Sequence, residues 1–231
     1  MPLTVRVRML RKKVHSDPGL TQMSIPEFIS TVLAIPSIVD EAASPDEAWR
    51  NLRSRVGARW NSASEVLKSD ISRETKLIVA QLREVFAQAP PPSNLQLLYF
   101  GLFTGVNPDM SEQVAGYYVS GTTRAVPSVD SSAELSGGIL DYSPENKYLW
   151  SPILQRIKGA VLANESQHDE YDYALMLCTA SILSFFAVRQ LDMRCRIVVG
   201  FDSGDAVELP TPLHGAAQLN RSAEACHYSE E

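Results

Sequence analysis

Residues 169–209 read DEYDYALMLCTASILSFFAVRQLDMRCRIVVGFDSGDAVEL, and this stretch decides the fold. After Tyr171-Asp172-Tyr173 comes a nearly continuous apolar run from Ala174 to Val188. A helix made from that run is apolar on almost every side and has to be covered almost all round. It is too short, and too dotted with Thr179, Ser181 and Ser184, for a bilayer span of about 20 residues. A central core helix over 169–190 is the reading that remains. The lead-in Ser166-Gln167-His168-Asp169 has the serine-to-acid spacing of a capping box. Ala180, Ser184 and Ala187 keep one side small enough for close approach of another element. After Arg189-Gln190 the period changes to two, with Cys195, Ile197, Val199 and Phe201 on one face and Arg196 and Val198 on the other. Asp202-Ser203-Gly204-Asp205 is turn chemistry leading into Ala206-Val207-Glu208-Leu209, so the segment predicts a hairpin.

Upstream, Pro90-Pro91-Pro92 divides helical periodicity from alternation. On the far side of the prolines, Leu95 to Phe103 is aromatic and apolar throughout, as expected of a central strand buried on both faces. Val114 to Gly121 is its expected neighbour, across the turn residues Asn107-Pro108-Asp109. On the near side, Ser24, Ser44 and Ser62 each stand three residues before a Glu, the spacing of a helix start. The first helix is predicted over roughly 25–34 and ended by Ile35-Pro36. The second covers 45–57 with Ala48, Trp49, Leu52 and Val56 on one face. The third covers 62–88, with a stripe of Leu67, Ile71, Thr75, Ile78, Leu82 and Val85. Ser143-Pro144-Glu145 and Ser151-Pro152 carry the same capping chemistry. Ile153, Leu154, Ile157 and Val161 are the predicted buried face of a helix ending near Asn164. At the amino terminus Leu3, Val5, Val7 and Met9 alternate with polar residues, which predicts a half-buried strand over 3–9. Its basic side, continued by Arg11-Lys12-Lys13, suits either a local anion patch or the solvated face of an edge strand.

These elements predict an α+β fold as a single compact unit. A mostly antiparallel sheet from 3–9, 95–103, 114–121, 195–201 and 206–209 is covered by the helices 45–57, 62–88 and 169–190. One domain spans 1–215. Residues 90–92 serve as a sub-boundary or as a stiff connector within it. From Ala216 to Glu231 no period survives, and a mobile tail is expected over 216–231.

The chain has 231 residues, is 45% hydrophobic and carries a net charge of −6. That size buries a substantial core. The charge argues against nucleic acid or an anionic membrane as partner, since both are polyanions. Charges at the amino terminus are not followed by an apolar signal region. The three cysteines, Cys178, Cys195 and Cys226, share no metal-ligand spacing. A reducing, cytoplasmic setting is expected.

No glycine-rich phosphate loop, dinucleotide fingerprint, G-x-S-x-G elbow or H-E-x-x-H motif occurs, so neither a catalytic residue, a metal ligand nor a cofactor is assigned. His168 and Asp172 stand one helical turn apart and are competent metal ligands, although acids are favoured in a first turn by the macrodipole alone. Asp202 and Asp205 bracket a turn close enough to hold a cation or act as an acid/base pair, but Asp and Gly are also ordinary turn residues. Tyr117, Tyr118, Tyr142, Tyr148 and Trp150 suit a recognition surface or a core. The binding residues expected from these considerations are Tyr118, Tyr142, Trp150, Asp202 and Asp205.

The segments Leu98 to Phe103, Tyr117 to Gly121 and Val199 to Asp205 together resemble a pattern in small bacterial cytoplasmic proteins of unassigned activity, some of them immunity-type proteins. That resemblance implies a non-catalytic binding protein whose partner is a cognate toxin, neutralised by occupation. The alternative is a hydrolase or metal-assisted enzyme using Asp202, Asp205 and His168.

Overall fold

The computed structural model describes residues 25–56, 68–106, 113–126, 135, 139–162, 169–201 and 206–212. Its helices are α1 (Ile25–Glu41), α2 (Pro45–Val56), α3 (Ile71–Gln88), α4 (Pro152–Leu162) and α5 (Asp169–Gln190). Its strands are β1 (Leu97–Val106), β2 (Gln113–Thr122), β3 (Tyr148–Trp150), β4 (Arg196–Phe201) and β5 (Ala206–Leu209). The most apolar strand, β1, takes the middle of the sheet, whose order is β3-β2-β1-β4-β5. Leu97, Leu98, Tyr99, Phe100 and Leu102 of that strand are all buried. The ladders β1–β2, β2–β3 and β4–β5 are antiparallel, and β1–β4 is parallel. The fold is thus α+β with a mostly antiparallel sheet, as the periodicity predicted.

One face of the sheet carries the helices. Phe100 of β1, Tyr117 of β2, Leu149 of β3, Val199 of β4 and Val207 of β5 join residues of α1 to α5 in a single core cluster. This cluster draws on both sides of Pro90-Pro91-Pro92, so the prolines connect two parts of one core. Helix α5 lies at its middle, with every residue from Ala174 to Val188 buried. The hydroxyl of Ser181 is kept from being an orphan there by donating to Leu177 O at 2.7 Å. Among the described residues no helix is long and apolar enough to cross a membrane.

Several boundaries differ from the sequence expectation. Helix α1 does not stop at residue 34 but continues to Glu41 with Pro36 inside it. An internal proline costs about 3 kcal/mol through a lost hydrogen bond and a ring clash. Burial of Ile35, Ile38, Val39 and Ala42 offsets it, since a single buried aliphatic side chain contributes about 1.5–3 kcal/mol. Helix α3 starts at Ile71 rather than at 62, because Asp70 is its N-cap and accepts from Arg73 N at 2.8 Å. Lys68 to Asp70 are not α-helical. Ser143-Pro144-Glu145 opens no helix; the chain turns at Glu145-Asn146 and enters β3 instead. Neither β3 nor the parallel β1–β4 ladder follows from local pattern. At Ser44 the capping chemistry holds: its Oγ accepts from Glu47 N at 3.2 Å, while Glu47 Oε2 accepts from Ala43 N at 2.8 Å. The expected strand 3–9, the turn 202–205 and the tail 216–231 lie outside the described residues.

A buried carboxylate joins the two halves of the chain. Glu74 of α3 is 6% exposed, and its Oε1 accepts from Ser151 Oγ at 2.7 Å and from Ile153 N at 3.1 Å. Ser151 Oγ in turn accepts from Leu154 N at 3.3 Å. Of the free N–H groups at the start of α4, Ile153 N is satisfied by a side chain from another helix and Leu154 N by Ser151 just before it, and an acidic side chain suits the positive end of the helix dipole. Glu74→Ala is expected to lower stability by about 2–3 kcal/mol by urea unfolding, because it strips acceptors from buried donors. Glu74→Gln retains an acceptor oxygen and should lose less than half as much.

Candidate binding surface

The second face of the sheet carries none of the helix-facing set. Its centre is a smaller apolar cluster of Leu97, Tyr99, Leu135, Val198 and Ala206. Toward β3 the register builds two rows across the strands. One row is Gly101, Tyr118 and Tyr148, and the other is Phe103, Gly116 and Trp150. Each row pairs large rings with a glycine, and the glycine alternates between β1 and β2. The Tyr118 ring lies across Gly101, where a Cβ would stand 2.3 Å from Tyr118 Cζ. The Phe103 ring lies beside Gly116, where a Cβ would stand 3.2 Å from Phe103 Cζ and 3.0 Å from Leu149 O. Glycine at Gly101 lets the Tyr118 ring rest directly on backbone, and at Gly116 it leaves room for the Phe103 ring without a tight contact.

The rings brace one another edge to face. Tyr99 and Tyr118 have centroids 5.9 Å apart, Tyr118 and Tyr148 6.3 Å, and Phe103 and Tyr148 5.7 Å. Such contacts contribute about 0.5–1.5 kcal/mol each beyond area burial. Lys147 Nζ sits 5.3 Å from the Tyr118 centroid and 6.0 Å from that of Tyr148, and donates to Ser143 Oγ at 3.1 Å. The Tyr99 hydroxyl donates to Gly200 O at 3.3 Å. Exposure rises from the centre of this face to its edge: Tyr99 is buried, Tyr118 and Phe103 are half-buried, and Tyr148 and Trp150 are 64% and 56% exposed.

The edge itself is held by α3. Val119 N donates to Lys147 O, which sets the alternation so that the backbone groups of Trp150 point away from β2. Trp150 N donates to Gln81 Oε1 at 2.7 Å, and Gln81 Nε2 donates to Trp150 O at 2.9 Å. One side-chain amide thus occupies the place of a neighbouring strand, a means of closing a sheet edge. Seven residues on, Gln88 Oε1 accepts from Asn146 Nδ2 at 2.6 Å. Trp150 is therefore fixed by backbone while its ring stays in solvent.

Of the residues expected to bind, Tyr118 and Trp150 meet on this surface. Tyr142 is placed differently: it bridges Gly121, is 8% exposed, and its hydroxyl donates to Ala89 O at 2.7 Å. Burial pushes that hydroxyl up to about 12. Tyr117 points into the helix-bearing core, where burial first and Glu74 second raise its pKa. Asp202, Asp205 and His168 lie outside the described residues. Sequence reasoning named Tyr148 among the aromatics suited to a recognition surface but did not carry it into the binding set, and it left out Phe103. Tyr148-Leu149-Trp150 is too short for its alternation to mark a strand, so local pattern did not place these two rings on one side of an edge.

Elsewhere, Arg196 of β4 makes a bidentate pair with Glu208 of β5, with Nε–Oε1 at 2.7 Å and Nη2–Oε2 at 2.9 Å. Its Nη1 also donates to Val126 O, which ties the segment after β2 to this face. Among the described residues no group of three or more His, Cys, Asp or Glu side chains is gathered closely enough to hold a metal ion. Cys178 and Cys195 are free and buried, and burial raises both thiols, Cys195 to about 12. Comparison of the chain with protein-family models, curated proteins and solved structures found no match in any of the three.

Two outcomes test this arrangement. Gly101→Ala drives a methyl into the Tyr118 ring and is expected to cost about 1–3 kcal/mol, the range for overpacking. Gly101→Ala made in a Tyr118→Ala background should cost far less. A double-mutant cycle by chemical denaturation reads the coupling directly, and additive losses would contradict the stacked geometry. The tyrosine shifts carry a sign as well. A hydroxyl whose folded pKa stands above the unfolded value near 10 contributes stability fully present below pH 10 and lost as pH climbs toward 12. Tyr142→Phe should therefore flatten the fall in melting temperature over that window, while at neutral pH it costs about 1 kcal/mol for the lost bond to Ala89.

Proposed function

We propose that the protein acts by binding another protein, with the Tyr148–Trp150 edge of the open sheet face as its anchor. In this reading it is an immunity-type protein of a bacterial cytoplasm that neutralises a cognate toxin by occupying it. One observation carries the proposal: two large aromatic rings, 64% and 56% exposed, stand two residues apart on one strand whose backbone is clamped by Gln81. Aromatic anchors on rigid backbone are what binding energy concentrates in, because little side-chain freedom is left to lose on association. Tyr118 and Phe103 beneath them supply a firm floor rather than contact area. The net charge of −6 favours a basic partner by speeding encounter and rejecting acidic competitors, more than by adding affinity.

The test is co-expression with the product of the neighbouring gene, followed by co-purification. The native chain is expected to protect cells and to capture that product. Tyr148→Ala combined with Trp150→Ala should abolish capture while the far-ultraviolet circular dichroism stays native, the loss of the two edge-to-face contacts of Tyr148 lowering the melting temperature without unfolding the chain at the assay temperature. Capture undiminished by the double variant would remove this edge as the anchor. Reproducible turnover of a substrate by the purified chain, lost on changing one polar residue without unfolding, would overturn the binding reading altogether. Gln81→Ala offers a subtler check. Hydrogen exchange at the Trp150 amide should accelerate at least tenfold, and capture should weaken several-fold without being lost.

A further inference from the structure

We draw no further inference here: the strongest candidate, the exposed aromatic patch of Tyr148 and Trp150 at the β3 edge of the sheet, belongs to the site already described, and nothing in the structure shows what covers it.

Discussion

Helix α5 must be hidden on every side, and the rest of the molecule is arranged around that requirement. A helix with one apolar stripe needs one partner, but Ala174 to Val188 has no polar side to give to water. The helix accordingly touches α1, α2, α3 and α4 as well as β1, β4 and β5. Among the described residues the sheet closes it on one side, and α1, α2, α3 and α4 close the remainder. The same demand explains why α1 runs through Pro36. Stopping at residue 34 would leave Ile38 and Val39 without their place in the core.

Committing one face of the sheet to α5 leaves the other face to be finished by different means. Its centre is sealed by a small apolar cluster around Tyr99 and Leu135, and the Arg196–Glu208 pair holds the nearby segment at Val126. Toward β3 none of the described residues supplies such a cover. There rings cover the backbone themselves, Tyr118 lying on Gly101 and Phe103 on Gly116 of the neighbouring strand. The rings fill this part of the surface themselves. The arrangement also leaves Tyr148 and Trp150 in water, where apolar area of that kind is a feature of interaction sites.

The α3 helix links the two halves of this division. Its buried stripe faces the core, with Glu74 capping α4, while Gln81 on its flank closes the edge of β3. A change in how α3 packs is therefore felt at the Trp150 backbone. In physical terms the exposed surface and the core are coupled through one helix, which makes the aromatic edge a rigid feature of the fold.

The sequence by itself determined the elements whose periodicity is strong. The span of α5, the alternation in β4, the short strand β5 and the apolar character of β1 all follow from hydrophobic pattern, because burial is set by which side chains avoid water. Capping at Ser44 was legible for the same local reason, a hydroxyl and a carboxylate at the right spacing. Tyr118 and Trp150 were legible as aromatics suited to either a surface or the core, and the sequence did not choose between the two. Only the tertiary structure decided that β4 runs parallel beside β1, that Pro36 is tolerated within a helix, and that Asp70 rather than Ser62 heads the described α3. It also decided that Tyr142 turns to Ala89 while Tyr148 turns to solvent. Those outcomes rest on partners far away in the chain: Gln81 for Trp150, Glu74 for Ser151, and Gly101 for Tyr118. No local pattern contains a partner that the fold alone brings within reach.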